Sequence, residues 1–229
     1  MNSIHCDQGT CFLCKYSLPE WKDKIAAERK LLHFRRGDHI FREGEKVRGI
    51  YFITGGAAKI HRSWGAGNEF ILRFARKGDV VGHRGHGSTA SFPVSATVLE
   101  ETTACFIPNK FLETLFRNDI GFLYEMMRLY AGELQKAEKR MHDLALVPVK
   151  GRVANALFTI RDTFGTDSEG YVNIPITRTD IACHAGTTYE AVFRLLKEWT
   201  RENIVTTLGK QFRIDDEVRL RALMQQDPD

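Results

Sequence analysis

The chain has 229 residues, 43% of them hydrophobic and 27% charged, and a formal net charge of +4. That is enough chain to bury a core in one or two domains. It contains no apolar run that could span a bilayer and no signal-peptide pattern in its opening MNSIHCDQGTCFLCK, so a cytoplasmic protein with no membrane partner is expected.

Five cysteines, an odd number, argue against a secreted disulfide framework. Charge is unevenly shared: residues 149–229 hold 11 Lys/Arg against 12 Asp/Glu, whereas residues 1–148 hold 22 against 17. Any surface in the C-terminal part that meets phosphate must therefore be local.

Four parts follow one another. Residues 1–22 read as a short arm carrying Cys6, Cys11 and Cys14. Residues 23–118 are punctuated by glycine, from Gly37 and Gly44 through Gly55-Gly56 to Gly85 and Gly87, with strand-like runs such as GIYFIT at 49–54 and FILRF at 70–74. Short strands at regular spacing with turn signals predict an antiparallel β barrel or jelly roll. Residues 119–148 predict one long helix, about Ile120 to Leu146. Along it Leu123, Met127, Tyr130, Leu134, Ala137, Met141 and Leu144 alternate spacings of four and three, a heptad seam; a helix packed on the barrel would show a similar pattern over fewer turns, and the length and regularity here lead to the expectation of a homodimer. Pro148 breaks that helix.

The fourth part, residues 149–229, opens with a helix from Val149 to Phe164 and a Gly-bounded segment, GTDSEGYVNIPIT, able to form a strand. ITRTDIACHAGTTYEAVFRLLKEW at 176–199 then predicts two short helices joined at Ala185-Gly186. The first runs from about Arg178 to His184 with Ile181 and Ala182 on the core. The second starts near Thr187-Thr188, which cap helices well, and buries Val192, Leu195, Leu196 and Trp199. Thr188, Tyr189, Glu190, Phe193 and Arg194 are left outside. Glu190 and Arg194 share a face; a carboxylate can accept from cytosine N4, and a guanidinium can grip guanine O6 and N7. Double-stranded DNA is the partner this suggests, against the plainer reading of a helical hairpin with a surface salt bridge. IVTTL, Gly209-Lys210 and QFRI complete a small hairpin wing. The fold class is thus α+β: an N-terminal β jelly roll, a long dimerisation helix and a C-terminal winged helix-turn-helix.

Other chemistry is thin. Ser88, Ser91 and Ser95 lack a nucleophile context, and the chain has neither a P-loop nor a dinucleotide fingerprint, so no enzyme is expected. His83 and His86 sit in a Gly-rich loop and could ligate haem or a metal, although loop histidines are more often solvated. Cys6, Cys11 and Cys14 with the distant Cys105 are the count for a four-cysteine iron–sulfur cluster. The same thiols could hold zinc, with His5 substituting, form a redox pair, or bind nothing. Cys183 reads as a small packing residue.

The order of these parts resembles the CRP/FNR family of bacterial transcription regulators, over about residues 25–229. FRRGDHIFREGEKVRGIYFITGGAAKIHR is similar to the family's opening barrel hairpins, MMRLYAGEL to its dimerisation helix and ITRTDIACHAGTTYEAVFRLLKEW to its DNA-reading motif. The resemblance implies a cyclic-nucleotide-binding-like jelly roll and a dimeric, sequence-specific regulator, an activator with RNA polymerase as a further partner, that couples a sensor to an inverted-repeat DNA site. It also implies that Thr177, Arg178, Thr187 and Thr188 lie near phosphates and that Tyr189, Glu190, Phe193 and Arg194 face base edges. Phe193 departs from the small residue usual there.

Members that bind cyclic nucleotides hold the ribose and phosphate with a Gly-Glu and an Arg-Ser pair. Here Gly82 is followed by His83, and Ser95 is preceded by Val94. A cyclic phosphate would then have no counter-charge, so cyclic AMP is not the expected effector unless Arg84 supplies a different pose. Cys105 in TTACFIP is similar to the distant cluster ligand of the oxygen-sensing branch, but that branch places the short gap between its terminal cysteines first and this chain places it last. The rival expectation is a cytoplasmic ligand- or metal-binding sensor whose winged domain contacts protein.

Overall fold

Eight strands lie between Lys30 and Pro108 in a computed structural model, which describes residues 9–64, 68–86 and 90–224. They are β1 (Lys30–Phe34), β2 (His39–Phe41), β3 (Gly49–Gly55), β4 (Ala57–Trp64), β5 (Asn68–Arg76), β6 (Val80–Val81), β7 (Ser95–Val98) and β8 (Thr102–Pro108). Two four-stranded sheets result, in the orders β1-β8-β3-β6 and β2-β7-β4-β5. The pairs β1–β8, β3–β8, β3–β6, β2–β7 and β4–β7 are antiparallel. This is the expected jelly roll. Sequence-distant strands become neighbours because each has one apolar face to bury. Ile50 faces Ile107 and Phe52 faces Cys105 across β3–β8, and Leu31 faces the same Cys105 across β1–β8. The β3–β4 turn requires glycine: Gly56 has φ +81°, and a Cβ there would stand 2.3 Å from the Glu101 carbonyl oxygen.

The described part of the expected arm is folded. Helix α1 (Phe12–Tyr16), a 3-10 turn (Pro19–Trp21) and α2 (Lys22–Glu28) precede β1. Cys11, Leu13, Trp21 and Ile25 are buried in one apolar cluster with Ile50, Phe52 and Cys105, with Leu112 and Leu115 of α3 (Asn109–Asn118) and with Phe122 and Met126 of α4 (Ile120–Leu146). Helices this short are unstable alone; tertiary burial of Leu13, Trp21 and Ile25 holds them.

After Pro148 come α5 (Val149–Phe164), α6 (Arg178–Ala185), α7 (Tyr189–Arg201), the wing strands β9 (Val205–Leu208) and β10 (Gln211–Ile214), and α8 (Glu217–Ala222). GTDSEGYVNIPIT does not form a strand. Gly165 and Gly170 take φ +73° and +85°, the segment turns on itself, and only an isolated bridge between Thr166 and Val172 remains. The described residues group into two compact units, one drawn from 9–63 and 74–134, the other from 64–73 and 135–224.

Candidate nucleic-acid interface and sensor residues

In the second unit the helix-turn-helix is fixed by its caps. Thr177 caps α6: its Oγ1 accepts the Asp180 N–H at 3.0 Å, while Asp180 Oδ2 accepts the Thr177 N–H at 3.0 Å, a reciprocal capping box. The Thr177 hydroxyl also donates to Asp180 Oδ2 at 2.5 Å. Gly186 ends α6 in the left-handed region, φ +63°, and a Cβ would stand 2.7 Å from Leu144 Cδ2. Thr187 donates its N–H to the Ala182 carbonyl at 3.0 Å, and Thr188 caps α7 by accepting the Ala191 N–H at 3.2 Å.

Helix α7 then buries Val192, Leu195, Leu196 and Trp199, the face its periodicity predicts. Tyr189, Glu190, Phe193 and Arg194 are exposed. Among the described residues neither Glu190 nor Arg194 is in an ion pair, so the surface salt bridge of the plainer reading does not form. The Tyr189 and Phe193 rings lie 6.1 Å apart and 20° from parallel, and the Arg178 guanidinium stands 5.3 Å from the Phe193 centroid.

An open groove of about 770 Å³ runs beside α7, lined among others by Arg178, Phe193, Arg194, Lys197, Arg201 and the wing residue Thr207. Lys197 and Arg201 escaped the sequence reading, although with Arg194 they form an i, i+3, i+7 row on one helical face. This row is a local positive surface on a unit whose charges otherwise nearly balance.

A half-buried cation braces the turn of the motif. Arg140 donates through Nη2 to the carbonyls of His184 and of Ile71, the latter at 3.0 Å, and its guanidinium lies 5.0 Å from the Phe70 ring. His184 Nδ1 is 3.2 Å from the Ile71 carbonyl oxygen. Burial, then the Arg140 charge, pushes the His184 pKa down to about 3, and burial pushes Arg140 down to about 10. Arg152 adds hydrogen bonds to the Leu144 carbonyl at 2.7 Å and the Gly186 carbonyl at 3.3 Å.

The seam residues of α4 divide into two groups. Leu123, Met127, Leu134 and Met141 are 41%, 57%, 60% and 63% exposed, an unusual amount of apolar surface for one helix face, and Ala137 beside them is half-buried. Tyr130 and Leu144 also make contacts within the chain. The Tyr130 hydroxyl donates to the His83 carbonyl at 2.6 Å, and Leu144 packs on Gly186.

In the first unit, the loop that would meet a cyclic nucleotide is occupied by its own charges. His83, 1% exposed, and Arg84 both contact Glu133 Oε2, at 3.1 Å and 2.8 Å. Val94 is buried, and the Ser95 hydroxyl accepts the Glu43 N–H at 2.9 Å. Burial holds His86 below the usual histidine range. Of the candidate cluster ligands, Cys11 and Cys105 are buried in the same apolar cluster and Cys14 packs against it; Cys6, like His5, lies outside the described residues. Among the described residues no three His, Cys, Asp or Glu side chains are grouped closely enough to hold a metal ion. Cys11, Cys14 and Cys105 thus share one apolar region but do not group as a ligand set in this structure. Cys183 is half-buried on α6. No helix among the described residues is long and apolar enough to cross a membrane.

Comparison with known proteins agrees with this arrangement. Residues 31–119 match a family model described as a cyclic nucleotide-binding domain, and residues 151–223 one described as a Crp-like helix-turn-helix domain. The fumarate and nitrate reduction regulatory protein of Escherichia coli is 28% identical, covering 96% of this chain and 90% of that protein. The transcriptional activator protein Anr of Pseudomonas protegens is 27% identical over 97% of this chain and 93% of its own. The solved structure of FixK2 from Bradyrhizobium japonicum superposes with a TM-score of 0.77 at 25% identity, over 87% of this chain and 99% of that one. A CRP-family transcriptional regulator of Thermus thermophilus, 19% identical, shares the fold with a TM-score of 0.73 over 86% of this chain and 98% of its own.

Proposed function

This chain belongs to the CRP/FNR family of transcription regulators and carries that family's helix-turn-helix DNA-binding domain, and from that premise we propose that it acts in the cytoplasm as a homodimer reading an inverted-repeat site. The observation that carries the proposal is the outward face of α7, where Glu190 and Arg194 stand exposed and outside any ion pair beside the Arg194–Lys197–Arg201 row. Glu190 and Arg194 supply base-edge contacts, and Arg178, Lys197 and Arg201 supply phosphate contacts. Thr177, Thr187 and Thr188 set the two helix starts at the phosphate backbone. The exposed α4 row of Leu123, Met127, Leu134 and Met141 is the dimer seam. RNA polymerase is the further partner of an activator of this class.

The signal enters at Cys6, Cys11, Cys14 and Cys105, which would hold an iron–sulfur cluster. Support comes from Cys11, Cys14 and Cys105 lying in or against the apolar cluster that also holds Phe122 and Met126 of α4; among the described residues they do not group as a metal-ligand set. Such a cluster would supply a redox-labile centre, and Phe122 and Met126, buried in the same apolar cluster as these thiols, would keep water from it. A change at the thiols would shift the packing of α4 and with it the presentation of α7. Cyclic AMP is not the effector in this reading, because Arg84 is spent on Glu133 and Val94 carries no charge.

The test is selection from a randomised DNA pool by the full-length protein. Expected is an inverted repeat with half-sites roughly 34 Å apart, bound with steep salt dependence. Binding without sequence preference would overturn the proposal in favour of a sensor acting through protein contacts.

A further inference from the structure

We propose that Phe193 reads the 5-methyl group of a thymine, held for that purpose by Tyr189 and Arg178. The inference rests on the DNA-reading role of α7 proposed above and adds what that helix prefers.

The Phe193 side chain is on the wrong side of α7 for a core residue. The buried face belongs to Val192, Leu195, Leu196 and Trp199, whereas Phe193 is 43% and Tyr189 44% exposed. Two large aromatic side chains one helical turn apart on the outer face of a helix keep apolar surface in water. They are also ordered. The rings are nearly parallel, 20° at 6.1 Å, and the Arg178 guanidinium lies over the Phe193 ring at 5.3 Å. A cation over one ring and a second ring beside it restrict how Phe193 can turn. The side chain is thereby prepared before any partner arrives, and little rotamer entropy remains to be lost on binding.

The groove beside Phe193 is lined by Arg194, Lys197 and Arg201, which suits a polyanion. A phenyl ring neither donates nor accepts a conventional hydrogen bond. Placed against a guanine, adenine or cytosine edge in the major groove, it would strip water from donors and acceptors without replacing it. Thymine alone among the four bases presents an apolar group there, its C5 methyl. Phe193 is next to Arg194 in sequence and one turn from Glu190, so its thymine lies beside the base pairs those two residues face. Arg178 does double service, at a phosphate and against Phe193, which makes Tyr189 and Arg178 positioning residues and Phe193 the specificity residue.

The experiment uses the full-length protein and the sequence it selects from a randomised pool. Each thymine of that sequence is replaced in turn by deoxyuridine, which removes only the methyl group. Expected is one symmetric position at which deoxyuridine weakens binding about fourfold per half-site, the value of one buried methyl. At that position Phe193→Ser should bind thymine and deoxyuridine alike, and Phe193→Leu, which keeps an apolar side chain, should retain part of the discrimination. A preferred sequence whose thymines all tolerate deoxyuridine overturns this proposal and leaves the DNA-reading role intact; so does a Phe193→Ser protein that still discriminates as the parent does. A pool that yields no preferred sequence overturns the DNA-reading role and this inference with it.

Discussion

Asp119 accepts the backbone N–H of Leu18, 101 residues away, through Oδ2 at 2.8 Å. Its other oxygen, Oδ1, accepts the Phe122 N–H at 2.9 Å and so caps the first turn of α4. One fully buried carboxylate therefore ties the Cys-bearing N-terminal helices to the start of the seam helix. Asp119→Ala leaves the buried Phe122 N–H and the part-buried Leu18 N–H without this partner and should cost about 1–3 kcal/mol in urea unfolding. Trypsin should cut after Lys15 and Lys22 faster in that variant than in the parent. Unchanged cleavage would mean that apolar packing alone fastens the segment.

Leu134 is 60% exposed in the middle of the α4 row. Leu134→Glu places a charge where a second helix is expected to pack, a costly burial. Sedimentation should show monomer for the variant and dimer for the parent. A variant that remains dimeric removes α4 from the interface.

Arg194→Ala should lose about 1–3 kcal/mol per half-site and relax preference at one base-pair position. Lys197→Ala, further along the same row, should weaken all sequences alike and lower the salt slope by about one unit. Arg178 is the poorer phosphate control, because its guanidinium also rests on Phe193. Titrations on selected and random DNA at several salt concentrations separate the two classes. Equal losses on both DNAs for Arg194→Ala would show that it does not read bases.

His184 gives the second unit a pH dependence of known sign. Its folded pKa is pushed down to about 3 by burial and by Arg140, against an ordinary value of 6.5. As pH falls below about 6.5 the unfolded chain takes up the proton first, so stability declines from there towards the folded pKa, by at most about 1.4 kcal/mol per pH unit. Above that window the contribution is fully present. His184→Gln should be less stable at pH 8, having lost a hydrogen-bond partner. Its stability should also fall less steeply than the parent's between pH 6 and 4. Parallel curves in denaturant titrations would place a proton on His184 in the folded state.

Protein purified without oxygen should be brown and contain iron if Cys105 closes a cluster with Cys6, Cys11 and Cys14. Cys105→Ala should be colourless. Iron-free, colourless parent protein would return the thiols to packing or redox roles.

What was legible in the sequence was local. The reader motif announced itself because caps, the Gly186 corner and the Val192–Trp199 stripe all follow from neighbours a turn apart. The jelly roll was legible from its turns, though not the register that puts Cys105 opposite both Leu31 and Phe52. Arg140 could not be found that way: its partners at Ile71 and His184 lie 69 and 44 positions away, and in sequence a half-buried arginine on a long helix looks like a solvated one. Tyr130 fell on the heptad track, and only the structure directs its hydroxyl to His83. The strand that Gly-bounded GTDSEGYVNIPIT could have formed is absent because Gly165 and Gly170 themselves take positive φ and turn the segment on itself.

Cys105 is stitched into a central strand, with β1 on one side and β3 on the other. It is a fixed post. Cys11 and Cys14 already pack in or against its cluster on short helices, so whatever the thiols would hold together meets a strand that cannot leave its ladder without unzipping two neighbours and helices that can be displaced without breaking the barrel. Disturbing the helical side would thus cost far less than disturbing the strand side, and any response at these thiols would start from the N-terminal helices.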